Sequence, residues 1–140
     1  MELRKVIVRF LDGRVIPGFA PLFEEGTDPV PAVDLAGMPL LLPLADLKAV
    51  FYVRTFSGNP EYDAPKSVEG LLVGPQAAVL RLPFTDGETV LAEALAPPPP
   101  GRGFFVTVLD PEDNNLLLYV NPGALAGEPE VALPPEEGGD

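Results

Sequence analysis

Leu47-Lys48-Ala49-Val50-Phe51-Tyr52-Val53-Arg54-Thr55-Phe56-Ser57-Gly58-Asn59-Pro60-Glu61-Tyr62 reads as a strand that runs into a linker. From Ala49 to Phe56 the run is rich in Val, Phe and Tyr, which suit a pleated surface, and it stops at Ser57-Gly58-Asn59-Pro60, a cluster of turn formers. Alternation places Val50, Tyr52 and Phe56 on one face and Phe51 and Val53 on the other. Apolar side chains on both parities require cover on both faces. A mid-chain strand of this kind belongs between two lobes, one built before it and one after.

Upstream, Val6, Val8 and Phe10 alternate with Lys5, Ile7 and Arg9 and lead through Asp12-Gly13 to Val15-Ile16, a hairpin signal because Asp-Gly tolerates the positive φ of a tight turn. Glu24 to Pro31, with Gly26, Asp28 and two prolines, reads as a loop. Ala32 to Leu35 and Met38 to Leu42 pair as a second hairpin through Ala36-Gly37, and Pro43 to Leu47 gives one helical turn. Downstream, polar Ser57 to Ser67 is the best boundary in the chain. Ala78 to Leu82 and Thr89 to Leu95 form a hairpin about Asp86-Gly87, and Phe104 to Leu109 and Leu116 to Val120 form another about Asp110 to Asn115. Pro97 to Pro100 between them is extended polyproline II. A helical turn at Pro122 to Leu125, a strand at Val131 to Leu133 and an acidic tail complete the chain.

These two halves repeat. Phe10-Leu11-Asp12-Gly13 matches Phe84-Thr85-Asp86-Gly87 at an offset of 74, and Leu44 to Leu47 falls near Val120 to Gly123 at 76. Each half holds four or five short strands and one helical turn, the content of a small Sm-like or SH3-like barrel, and a unit of that size is marginal alone. The expectation is an all-β chain of two such barrels in tandem, residues 1–57 and 68–133, with a linker at 58–67, an acidic tail at 134–140, and the apolar central strand shared between them.

Composition narrows the function. Cysteine and histidine are both absent from the 140 residues, which removes thiolate and imidazole metal sites, disulfides, and Ser-His or Cys-His nucleophile pairs. No nucleophile motif with a mechanism is present, so neither catalysis nor a metal or cofactor is expected. No run approaches 18 apolar residues and no signal h-region follows Arg4-Lys5, so a cytoplasmic protein without membrane contact is the expectation. Nine Lys and Arg against 21 Asp and Glu give a net charge of −12. Residues 1–60 hold 6 basic and 7 acidic side chains, and residues 61–140 hold 3 and 14, so the second half repels phosphate.

Three stretches are candidate sites. Asp110, Glu112, Asp113, Asn114 and Asn115 crowd oxygen ligands as a Ca²⁺ loop does, but without EF-hand spacing, and Asp and Asn also cap turns, so a turn is preferred. Pro97, Pro100 and Arg102 satisfy PxxPxR, a ligand pattern for SH3-type domains, against the alternative of a rigid connecting loop. Arg4, Lys5, Arg9 and Arg14 cluster on the first hairpin and are positioned to touch phosphate, although no stacking aromatics stand out beside them and a solvated strand face explains them too.

Val6 to Gly18 together with Leu47 to Tyr62, and Gly103-Phe104-Phe105 through Asp110-Pro111 to Asn114-Asn115, resemble a bacterial family of unknown function, DUF6982. The resemblance covers most of residues 5–131, and it departs at Leu82-Pro83, where the family's pattern has basic residues. It implies two similar halves, each opening with a strand and an Asp-Gly turn, in a small β module attached to bacterial signalling and surface-motility systems. It carries no activity or ligand. The leading expectation is a non-catalytic protein-interaction or regulatory module whose partner is another protein or a second copy of the chain; the alternative is an Sm-like protein binding RNA or nucleotide through the basic first hairpin.

Overall fold

Two turns of the same construction set the frame. At Asp12-Gly13, Gly13 takes φ 93°, Phe10 N–H donates to Arg14 C=O (2.9 Å), and the Asp12 carboxylate accepts from Arg14 N–H (2.9 Å). This joins β1 (Arg4–Phe10) to β2 (Val15–Ala20). At Asp86-Gly87, Gly87 takes φ 92°, Phe84 N–H donates to Glu88 C=O (2.8 Å), and Asp86 accepts from Glu88 N–H (3.0 Å), joining β6 (Ala78–Pro83) to β7 (Thr89–Ala94). In both, glycine supplies the positive φ that a side chain resists.

The computed structural model describes residues 2–57, 78–94, 98, 101–110 and 113–133. The remaining strands are β3 (Val30–Asp34), β4 (Pro39–Leu42), β5 (Leu47–Val53), β8 (Phe104–Val108), β9 (Asn115–Val120) and β10 (Glu130–Leu133). Single 3-10 turns at Leu44–Asp46 and Pro122–Ala124 precede β5 and β10. β6, β7 and β8 begin at 78, 89 and 104, each 74 residues after β1, β2 and β3 at 4, 15 and 30. Among the described residues the chain is all-β, and ten strands form one open antiparallel sheet in the order β10-β6-β7-β8-β9-β5-β1-β2-β3-β4. The linker expected at 58–67 and the tail at 134–140 lie outside the described residues.

Every residue of β5 is buried, and its two faces feed two separate clusters. Val50 and Tyr52 join Val6, Val8, Phe10, Val30 and Leu42, while Ala49, Phe51 and Val53 join Leu80, Leu82, Phe84, Phe104 and Val106. The two-sided apolar pattern in the sequence is thus the record of a strand that pairs with β1 on one edge and β9 on the other and packs on both faces. The strand is shifted relative to the expectation, beginning at Leu47 and ending at Val53. Beyond it Arg54 N–H donates to Asn114 C=O (2.9 Å), and Phe56 leaves the sheet to meet Phe19 edge-on with 5.6 Å between centroids. β3 likewise begins at Val30, inside the segment expected as loop, because Pro31 stands opposite Leu41 at a position that needs no N–H from β3.

Since both clusters depend on β5, they are expected to melt together. Phe51→Asp places an unpaired charge in one cluster and should unfold the chain, while Phe51→Ala should cost about 3–5 kcal/mol. Circular dichroism against denaturant should show one transition for Phe51→Ala with a lowered midpoint. Two transitions, one at the wild-type midpoint, would contradict the shared role of β5.

Candidate interaction surface

The pairing of β5 with β9 brings charged loops from each half onto the other. Arg9 stands opposite Ala49 and Phe10 opposite Leu47, so Lys48 is the extra residue of a β-bulge. The bulge sends Leu47 into the cluster of Val50 and leaves Lys48 beside the rings of Phe84 (4.7 Å from its ammonium) and Phe51 (5.8 Å). Lys48 is 7 % exposed, and its ammonium donates to Asp86 Oδ2 (2.7 Å) and to Glu88 from the β6–β7 turn. Its hydrogen bond holds the Asp86 carboxyl below the usual carboxylate range. In the other direction, the β2–β3 segment lies on β8 and β9: Gly26 N–H donates to Gly103 C=O (2.9 Å), Phe105 N–H to Glu25 Oε2 (2.7 Å), and Tyr119 O–H to Thr27 C=O (2.7 Å). Phe23 stands edge-on to Tyr119 at 4.6 Å. Gly103 is required there, since a Cβ would overlap the Tyr119 ring.

The four cations of the first hairpin do not form one patch. Arg14 is held by Asp12 (2.8 Å) and lies over Phe10 at 4.5 Å, and Arg4 lies 3.7 Å from Glu2. Lys5 and Arg9 share the face of Ile7, over Phe56 (6.0 Å) and Phe51 (5.3 Å) respectively. Of the PxxPxR stretch, Pro97 and Pro100 lie outside the described residues, and Arg102 is exposed with its Cδ beside Gly26. Of the 110–115 stretch, Glu112 lies outside the described residues; Asp113 accepts from Asn115 N–H (2.9 Å), and Asn114 accepts from Thr55 N–H (3.0 Å) and donates to Thr55 C=O (2.9 Å), so these oxygens serve the backbone. Burial raises the Asp113 carboxyl, with Asp110 and Glu88 adding to the effect. Among the described residues no group of three or more acidic side chains is arranged to hold a metal, and no helix is long and apolar enough to cross a membrane. A cavity of about 60 Å³ beside Phe51, Val90, Asp113 and Leu118 is far below the roughly 300–1,000 Å³ of small-molecule pockets.

Exposed large hydrophobics are spread over the described surface, from Leu3, Leu11, Val15 and Leu22 to Phe56 and Leu116, but the most exposed of them lie at the two ends of the sheet. Leu41 on β4 is 71 % exposed, Val131 on β10 62 %, and Met38 and Leu35 in the β3–β4 turn 60 % and 58 %, the four largest exposures among the large hydrophobics described. β4 and β10 are also the terminal strands, each with one neighbour among the described residues. Sequence reasoning missed both Lys48 and these edges. A usable signal for the edge was Leu35 and Met38 flanking the Ala36-Gly37 turn, where polar residues are usual. Lys48 had none, because the bulge that buries it arises from pairing with β1.

Residues 2–128 match a family described only as a family of unknown function, DUF6982. No curated protein and no solved structure matches the chain.

The Lys48 cluster has an asymmetric energetic signature. Asp86→Asn with Glu88→Gln leaves a buried ammonium without counter-charge and should cost about 3 kcal/mol, whereas Lys48→Met leaves two half-exposed carboxylates in water and should cost much less. Because the folded Asp86 pKa is depressed, its stabilisation is complete above the unfolded value near 3.8 and is lost as pH falls through the lower folded value. Thermal melting from pH 6 to pH 2 should therefore show an acid-dependent fall that is smaller in Lys48→Met, and equal slopes in both proteins would exclude this pairing as its source.

Proposed function

Because the chain belongs to DUF6982, a family whose description assigns no activity, we propose from its surfaces that it is a non-catalytic protein-interaction module of regulatory use, built as two small barrels sharing β5. The barrel reading is supported by strand order: each half runs fifth-first-second-third-fourth, with a 3-10 turn before the fifth strand, around its own apolar cluster. The observation that carries the functional reading is the coincidence of the terminal strands, each with one neighbour among the described residues, with the most exposed apolar side chains described, Leu41 and Val131. An open edge offers backbone N–H and C=O groups to an added strand, and neighbouring apolar side chains supply contact area. Neither requires a basic surface, which suits a chain of net charge −12. Bacterial signalling and surface motility are the settings proposed for such a module.

Binding of RNA or nucleotide through the first hairpin has weaker support. Arg14 is engaged by Asp12 and Arg4 lies near Glu2, leaving Lys5 and Arg9 as the pair on one face, and two phosphate contacts give little affinity at physiological salt. Capture from native lysate separates the readings, with wild type, Leu41→Lys and Lys5→Glu/Arg9→Glu as bait and each sample divided between nuclease-treated and untreated arms. Protein that survives nuclease and is lost with Leu41→Lys is the expected result. Co-purifying nucleic acid that disappears with the Lys5 and Arg9 substitutions would replace this reading with the other.

A further inference from the structure

We propose that the two edges left with one neighbour among the described residues are made for each other, so that β10 of one copy pairs with β4 of the next and the chain self-associates head to tail. This rests on the edge reading above and names its occupant as a second copy.

The template lies inside the chain. β1 and β5 pair with Val6 opposite Tyr52, and β6 and β10 pair with Leu80, 74 residues after Val6, opposite Val131. β10 is therefore the counterpart of β5. Likewise Val30 stands opposite Leu42 in β3–β4, and Phe104, 74 residues after Val30, stands opposite Val120 in β8–β9, which makes β4 the counterpart of β9. The sheet already joins β5 to β9. What is left at its two ends is the same pair of edges, β10 and β4, held on different copies.

Register follows from the same correspondence. The internal junction sets Tyr52 opposite Leu117 and Val50 opposite Tyr119. Transposed, Val131 of one copy meets Pro39 of the next, and Pro129 meets Leu41. The phase of the ladders agrees. Asp34 N–H donates to Met38 C=O (3.0 Å), so Leu40 bonds toward β3 and Leu41 turns its N–H and C=O outward; Phe84 N–H donates to Glu88 C=O, which by alternation through β6 turns Glu130 toward Arg81 and Val131 outward. Leu41 N–H then reaches Pro129 C=O, and Val131 N–H reaches Pro39 C=O. The two prolines have only to accept, and their missing N–H groups remove the other half of the ladder. The contact thus relies on Leu41, Val131 and the neighbouring Met38 as much as on backbone bonds, and is reversible. A heterologous contact of this kind continues beyond two copies, closing into a ring or running on according to the rotation between halves.

Light scattering after size exclusion tests this on the full chain. Wild type should exceed the 14.8 kDa of one copy, with a mass that rises with concentration. Leu41→Lys and Val131→Lys, both at exposed positions, should each be monomeric with wild-type circular dichroism and melting. Each variant keeps one sound edge, so mixing them should give a species of twice the single-chain mass and nothing larger. A wild type that stays at one copy at the highest concentration would overturn the proposal, as would a Val131→Lys protein that still dimerises, which would mean β4 pairing symmetrically with itself. If wild type is monomeric while Leu41→Lys still abolishes protein capture, the second copy is the wrong occupant and the interaction-module reading stands; if Leu41→Lys alters neither mass nor capture, both fail.

Discussion

The pairing of β5 with β9 is the constraint on which the remaining structure depends. It fuses two five-strand units into one sheet and turns β5 from an edge into an interior strand buried along its whole length. Each unit by itself would cover only one face of that strand, leaving either Val50 and Tyr52 or Phe51 and Val53 in water. Joining them removes both faces from solvent at once, and apolar area is worth about 25 cal/mol per Å². For units of roughly seventy residues, whose individual cores are small, a shared strand is an economical source of cooperativity.

Reciprocal loops reinforce that pairing chemically. Lys48 from the first half meets Asp86 and Glu88 from the second, and Tyr119 of the second donates to Thr27 of the first. A buried ammonium is costly unless paired, so its presence between two aromatic rings fixes which loop lies over the bulge rather than adding much net stability. Gly103 and the Tyr119 ring play the corresponding role on the opposite face of the junction. Long strands pair in several registers, and polar contacts of this kind favour one of them.

The surfaces that remain divide by chemistry. Among the basic side chains on the first hairpin, Arg14 is paired with the Asp12 carboxylate, and Arg9 and Arg14 lie over the rings of Phe51 and Phe10. The most exposed large apolar side chains described lie at the sheet ends, where Pro39 and Pro129 lack the N–H groups that an added strand would use. Prolines on an edge are a known restraint against indiscriminate strand addition. Exposed Leu41 and Val131 lie beside these prolines.

Much of the fold was legible in the sequence because its signals are local. Asp12-Gly13 and Asp86-Gly87 mark hairpins through the positive φ of glycine, and alternation in Ala49 to Val53 marks a strand buried on two sides, since both follow from the conformational preferences of a few consecutive residues. Family resemblance and the 74-residue offset were readable for the same reason. Tertiary structure alone decided that the halves join into one open sheet through β5 and β9, that the bulge opposite Arg9 and Phe10 turns Lys48 toward Phe84, and that Leu41 and Val131 end on the terminal strands of the described sheet. These depend on which distant strand supplies the opposing hydrogen bonds, and a period of two is the same whether a strand lies at the centre of a sheet or at its rim.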